Sequence, residues 1–553
     1  MVVVKAFFFS FIFSITTVFF IACGGDSGNK NEPGVIEINI TDRKSNVNFN
    51  TAKNWQFNNY EGEEQDINYD SKESHDSGTG STYLENSGIL ENKNDGILSK
   101  FLIPVIAGKT YTLSFWTKTK VWPSSTIQAF GSFYDANGDY IINSNGSRCS
   151  NSKKDEWEQS FVKITVPNNS KIKYFAIRAV MNLNDISTKV WIDDFKLTEG
   201  INLPARSQKN AFDGSKTSVD TLGNIKIDGA DFFPIGIYAD RDRDDWSIYA
   251  NQGFNVNMWS SNTQELQKAS DAGLKSAMQI VQYMIGDKSW IPGNDEAKLV
   301  ALGTTMDAML ASPNIDDLLF YYIDNEFYHL KPIVSEVANL VKSKDESRPI
   351  YMLNGDYALP RKYNDVVDLT GAYVAYDGFD KQSITKLIIM DNTPNQKLPV
   401  SFAQINAGVG LNFRPILFGA IAKGARAMAY WRDGGEKAGD ITTKLWWNDL
   451  PKIKEEINLM MPLIKADHNP ILKAQADNEN IISGTRVVDG VGYIILANPT
   501  DANITVTFSI VGNSSDITGI VDYFSTENVG TFTAGSVRVD ISKHGSKVVK
   551  LIY

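Results

Sequence analysis

Eight apolar runs, each of strand length, follow one another between Gly229 and Asp433, and they restrict the fold more than any other feature of the chain. In order they are "GADFFPIGIYAD", "GFNVNMWS", "GLKSAMQIVQY", "DLLFYYIDNEF", "RPIYMLN", "VVDLTGAYVAY", "LPVSFAQIN" and "ARAMAYWRD". Helical spacing separates several of them, at Asn262–Gly273, Ile333–Lys344 and Arg414–Ala425. Eight strands alternating with helices over a segment of this size predict a (β/α)8 (TIM) barrel, assigned here to residues 233–469.

The flanks read differently. From Val35 to Gly200 the pattern is of strands: "KTYTLSFWTKTK" alternates apolar and polar residues, and "EWEQSFVKITVP" and "KVWIDDFKL" continue the series. Asn137-Gly138 between two such runs signals a hairpin. No long amphipathic helix interrupts them, which predicts a β-sandwich over residues 35–200. Residues 201–232 read as a linker with lead-in strands. From Pro470 the runs "VGYIILANPT", "NITVTFSIVG" and "SKVVKLIY" alternate again, predicting an antiparallel β-sandwich over 470–553. At 553 residues the chain is long enough for several cores, and the expected architecture is multidomain.

The opening "MVVVKAFFFSFIFSITTVFFIAC" has one positive charge, Lys5, then an uncharged apolar run to Ala22. Residues 1–22 therefore read as an export signal. "FIAC" resembles a bacterial lipobox, with Phe20 where Leu is usual, and the resemblance makes Cys23 the lipidated residue. The polar stretch 23–34 becomes a tether. The expected location is the bacterial cell envelope, lipid-anchored at the outer membrane or cell surface; the alternative is a single transmembrane anchor. Cys149 is left without an intramolecular partner. Net charge is −11 with no basic block, which argues against nucleic acid as a partner.

"GKTYTLSFWTK", "WEQSFVKITVP" and "VWIDDFKL" resemble the jelly-roll carbohydrate-binding modules found beside many glycoside hydrolases. The resemblance implies a glycan ligand, with Trp55, Trp116, Trp122 and Trp157 as possible platforms and Trp122 the favoured one. Core or interface packing is the alternative for the others. Asp135, Asn137 and Asp139 have the spacing of the first ligands of a calcium loop. Gly138 comes too early for that loop and Gly146 stands where Glu is needed, so a hairpin tip explains the stretch.

Barrel active sites lie at the C-terminal rim of the strands, and the fourth run ends there on Asp324, Asn325 and Glu326. This arrangement resembles the large clan of retaining barrel glycosidases, in which Asn-Glu ends the fourth strand. On that likeness Glu326 is the acid/base and Asn325 holds a sugar hydroxyl. Independently, breaking a glycosidic bond requires a proton donor at the leaving oxygen, a task that suits a partly buried Glu. The clan places a nucleophilic Glu on strand seven, where this chain has Gln404. An amide cannot attack as a carboxylate does. Asp377 after the sixth strand is the leading candidate for the second carboxylate, ahead of Asp433, Glu436, Asp240 and Asp242. Gln404, Trp431, Trp259, Tyr376 and Tyr238, at strand ends, are the expected substrate contacts. The segment 397–431, with "KGARAMAYW", also resembles a broader group of bacterial barrel proteins that carry Gln on strand seven.

The four His are scattered without zinc spacing, and neither a Gly-x-Ser-x-Gly elbow nor a phosphate loop is present. No metal or cofactor is expected. The expected function is a surface-tethered glycoside hydrolase acting on a polysaccharide or its oligosaccharides. The alternative is a non-catalytic glycan-binding lipoprotein, favoured by Gln404.

Overall fold

The computed structural model describes residues 55–59, 68–75, 81–85, 93–99, 102–119, 127–144, 147–149, 155–183, 189–200, 211–280, 296–325, 331–354, 363, 366–375, 400–406, 413–431, 440–444, 446–467, 472–478, 480–511, 517–533 and 535–553. Two antiparallel sheets form its N-terminal part. One runs 55–59, 93–99, 174–183, 127–134, 140–143, and the other 158–165, 110–119, 189–199, 81–85, 68–70. Alternation sends Leu113, Phe115, Phe133, Val162, Ile177 and Ala179 into one shared core. The expected hairpin joins Ile127–Tyr134 to Tyr140–Asn143. At its tip the Asp135 carboxylate accepts the amides of Asn137 (2.8 Å) and Asp139 (3.0 Å), as a turn-forming Asp does.

All eight central runs are strands: β1 Ile235–Ile237, β2 Val256–Ser260, β3 Lys275–Gln279, β4 Leu318–Asn325, β5 Ile350–Asn354, β6 Leu369–Ala375, β7 Val400–Asn406 and β8 Ala427–Trp431. Each pairs in parallel with the next, and β8 pairs with β1 from Ile235↔Met428 to Ile237↔Tyr430, closing the ring. Six helices are described around or after it: α1 Ser247–Gln252, α2 Thr263–Asp271, α3 Glu296–Leu310, α4 Lys331–Lys344, α5 Phe413–Ala422 and α6 Leu450–Lys465. The three helical stretches expected from spacing correspond to α2, α4 and α5.

Strand β4 shows why the runs read as they do. Phe320 and Tyr322 enter the barrel interior with Tyr351, Leu353 and Ala429. Tyr321 and Ile323 face outward, against Val334, Val337 and Val341 of α4. With both faces buried, the strand has no polar phase until its end. Outside the ring the Tyr321 hydroxyl donates to Asp345 (2.6 Å), which also receives Arg348 (2.7 Å). Burial pushes the Asp345 carboxyl up, but hydrogen bonds from Ser347, Tyr321 and Arg348 together hold it below its ordinary value.

The interior is crowded enough to need a glycine. A Cβ on Gly371 of β6 would lie 2.2 Å from the Tyr351 hydroxyl oxygen. Gly371→Ala is therefore expected to cost about 1–3 kcal/mol in urea unfolding. Adding Tyr351→Phe should recover part of the loss, and strict additivity of the two changes would show that the contact is not the cause.

The lead-in residues do more than link. Phe212–Asp213, Thr217–Val219, Ile225–Ile227 and Ala230–Phe232 form a four-stranded antiparallel sheet. Val219 and Ile225 join the barrel's interior cluster, and Thr217 N–H donates to the carbonyl of Ser347, just ahead of β5. The sheet closes the N-terminal end of the ring.

After α6, two four-stranded antiparallel sheets share a core of Ile494, Leu496, Val506, Phe508, Val537 and Val549. One of them turns Ile482, Ile495 and Ala497 onto α5 and α6. That approach is close: a Cβ on Gly484 would fall 2.0 Å from the carbonyl oxygen of Ala422, the last residue of α5. Beside it Arg486, fully buried, donates from Nε to Leu463 O (3.1 Å) and from Nη1 to Ala422 O (3.3 Å), while Nη2 donates to Ile421 O. Among the described residues no helix is long and apolar enough to cross a membrane.

Candidate active site

At the C-terminal rim the barrel presents aromatic rings from opposite sides of the β8–β1 seam. Trp259 comes from β2 and Trp431 from the last position of β8; their ring centroids are 5.9 Å apart at 69°. Both indoles rest on Tyr238, immediately after β1, at 5.6 and 4.6 Å. The Tyr238 hydroxyl donates to that of Tyr322 (3.0 Å), and Trp259 Nε1 donates to Ala239 O (3.2 Å). The result is a rigid floor: two partly exposed indoles above two buried phenols.

This alters one expectation. Tyr238 is 0% exposed, so it supports the indoles instead of meeting a substrate directly. Trp259 and Trp431 retain accessible surface and stand together. Position along a strand end gave no means of separating the two cases.

For Gln404 the structure gives strand register. It pairs with Tyr373 on β6 and with Ala429 on β8, and Ala429 belongs to the interior cluster. Asn325 is the last residue of β4 and pairs with Leu353, and Asp324 pairs with Met352. Glu326, Asp377, Tyr376 and Cys23 lie outside the described residues, as do Trp122, Asp433 and Glu436. Asp240 is described: its Oδ1 accepts the amide of Asp242 (3.0 Å) in the loop after β1.

That loop also holds a residue that strand-end reasoning missed. Arg241 lies over Trp259, its Cζ 4.7 Å from the ring centroid, and Nε meets Glu265 of α2 at 3.0 Å. Its partners sit on three separate elements, so no local sequence signal marks it.

A second surface lies on the N-terminal sandwich. Ala129 and Phe133 point into the core, so Phe130, Ser132 and Tyr134 occupy the outer face of the same strand. Arg178 from the neighbouring strand covers Phe130, at 5.4 Å. Tyr134 meets Tyr140 edge-on at 6.1 Å, and Ser132 Oγ donates to Asn143 Oδ1 (2.7 Å). Burial pushes the Tyr134 phenol up, outweighing the opposing effect of Arg178. Of the tryptophans considered from sequence, Trp116 lies under the His75 imidazole, ring centroids 3.6 Å apart, with Trp157 at the imidazole's edge (6.2 Å). His75 is in turn held to Asp194 at 2.6 Å. Both indoles are braced by the imidazole and keep part of their surface accessible.

Residues 43–181 match the model of a family described as a carbohydrate binding domain. No curated protein matches the chain in sequence. Among solved structures, a noncanonic maltogenic alpha-amylase from Thermotoga neapolitana is 10% identical, with a TM-score of 0.41, over 58% of this chain and 99% of that one. An Anoxybacillus alpha-amylase is 11% identical, with a TM-score of 0.38, over 56% and 89%. The CBM22-1–GH10 modules of a Clostridium thermocellum endo-1,4-beta-D-xylanase are 12% identical, with a TM-score of 0.26, over 70% and 89%. Likenesses this loose assign no activity; the carbohydrate binding domain at the N-terminus is the finding that bears on ligand class.

Proposed function

We propose that this chain is a lipid-anchored, surface-tethered glycoside hydrolase acting on a polysaccharide or its oligosaccharides. The observation that carries the reading is the Trp259–Trp431 pair on its Tyr238–Tyr322 base, at the end of a closed parallel barrel where catalytic groups gather. Sugar rings stack on such indoles through their C–H faces, and a floor held by hydrogen bonds keeps the subsite in place before binding. The N-terminal carbohydrate binding match supplies a second hold on the same polymer, for which the accessible Tyr134–Tyr140 pair is the natural platform.

In this reading the barrel is a complete (β/α)8 glycosidase domain and residues 470–553 brace it. Cys23 carries the lipid, and residues 23–34 hold the enzyme off the membrane of the cell envelope. Glu326 directly follows β4, the strand whose Phe320 and Tyr322 side chains enter the interior. It gives its proton to the leaving oxygen as the glycosidic bond breaks. Asp377, two residues beyond β6, is the second carboxylate. It attacks the anomeric carbon if the two carboxyls stand about 5–5.5 Å apart, or takes a proton from the attacking water at about 6.5–9.5 Å. Asn325 and Gln404 hold sugar hydroxyls through their amides, beside Trp259, Trp431 and Tyr376.

Gln404 favours a second reading, a glycan-binding surface lipoprotein whose barrel turns nothing over. One experiment separates the two. The full chain is incubated with plant, algal and host glycans, and new reducing ends are measured beside gel-shift binding. Release of reducing ends from a bound glycan is expected. Retained binding with no cleavage anywhere in the panel would leave the second reading standing.

A further inference from the structure

We infer that Arg241 makes the barrel mouth selective for saccharides that carry an anionic group, a carboxylate or a sulfate ester. The inference rests on the mouth being a saccharide site, as proposed above, and adds the substrate's chemical class.

Arg241 is held on one edge and open on the other. Its Nε is fixed by Glu265 (3.0 Å), and its Nη2 by the Gln279 side chain (3.3 Å) and the Trp259 carbonyl (3.4 Å). Below lies the Trp259 ring. Glu265 is itself locked, its second oxygen accepting the amide (2.6 Å) and hydroxyl (2.8 Å) of Ser261. Among the described residues nothing engages Nη1, and the side chain keeps 41% of its surface accessible.

The chain's structural arginines look different. Arg348 and Arg486 are 4% and 0% exposed and spread their donors over backbone carbonyls or a buried carboxylate. The neighbouring cations are committed elsewhere: Lys268 Nζ of α2 donates to the carbonyls of Arg241 and Arg243, and Arg243 donates to Asp440 (3.0 Å). Arg241 alone in the loop combines a fixed position, an open donor edge and an adjoining indole.

That combination fits an acidic sugar better than a small anion. Asp240 and Asp242 flank the arginine, so the loop does not concentrate free anions by charge. A sugar ring stacked on Trp259 brings its own acid group to Nη1, where a charge-assisted hydrogen bond forms without reordering the guanidinium. A neutral sugar at the same place gains only a hydroxyl contact.

The test is binding to the full chain by calorimetry, with three probes of similar length: a uronate oligosaccharide, a sulfated galactan oligosaccharide and a neutral xylo- or malto-oligosaccharide. Trp431→Ala in parallel identifies the part of the signal that belongs to the barrel. One acidic class, whichever it is, should bind the barrel more tightly than the neutral probe. Arg241→Gln should weaken that class by about 10- to 100-fold and leave the neutral probe within a few-fold. Arg241→Lys keeps the charge without the fork and should recover part of the loss; it also serves if the Gln variant folds poorly. Equal weakening of acidic and neutral probes would reduce Arg241 to a brace for Trp259. Preference for the neutral probe, or no binding to the barrel at all, would overturn the inference as well. Selective binding without hydrolysis would overturn the glycosidase reading alone and leave this one intact.

Discussion

Glu326→Gln is expected to lower turnover of a cleaved glycan by about 10²–10⁴-fold while leaving fold and glycan affinity in place. The substitution preserves shape and removes the titratable proton, so the loss should fall on kcat and not on KM. Substrates with very good leaving groups need little protonation and should be spared part of it. The warrant is positional. β4 is apolar on both faces up to Ile323, and its end carries Asp324 and Asn325 directly before Glu326. Undiminished turnover in the variant would remove Glu326 from the mechanism. Asp377, Asp433 and Glu436 would then be tested by the same substitution to an amide.

Arg486→Ala should have the largest effect on stability, about 3–5 kcal/mol in denaturant unfolding. The guanidinium serves the ends of two helices at once: Ile421 and Ala422 finish α5, and Leu463 lies in the last turn of α6. Helix ends leave carbonyls without intrahelical partners and carry partial negative charge, so a cation there satisfies both needs. Alanine would leave those carbonyls buried without their donor, and a cavity where water has little access. Arg486→Lys retains the charge but cannot reach three carbonyls and should fall between the two. A midpoint for the alanine variant indistinguishable from the wild type would mean that those carbonyls find other donors.

Much of the barrel could be read from the chain because a strand buried on both faces leaves an unbroken apolar run, as in "LLFYYI", and each run was bounded by turn residues. The sheet over residues 212–232 was harder. Its strands are two or three residues long, too short for alternation to register. The signal available was Asp228-Gly229, both at positive φ (47° and 81°), the backbone of a tight hairpin turn. At the site, the indoles at the ends of β2 and β8 were legible as candidates because strand ends converge on the rim. The burial of Tyr238 was not, since it depends on Trp259, Tyr322 and Trp431 arriving from three other strands. Arg241 escaped for a similar reason: Glu265 and Gln279 make it a fixed donor only once α2 and β3 are in place.

Core membership sets which parts of this molecule melt together. The largest cluster unites β1, β8, α5 and α6 with Ile482, Tyr493, Ile495 and Val548, so the barrel wall and the C-terminal sheet share one apolar interior. Among the described residues, the N-terminal sandwich buries a cluster of its own, drawn from Ile103 to Leu197. The seam near residue 470 is thus a change of architecture without a change of cooperative unit. Cutting the chain there would strip the covering from α5, whose residues are nearly all buried, and leave an aggregation-prone barrel instead of a smaller enzyme.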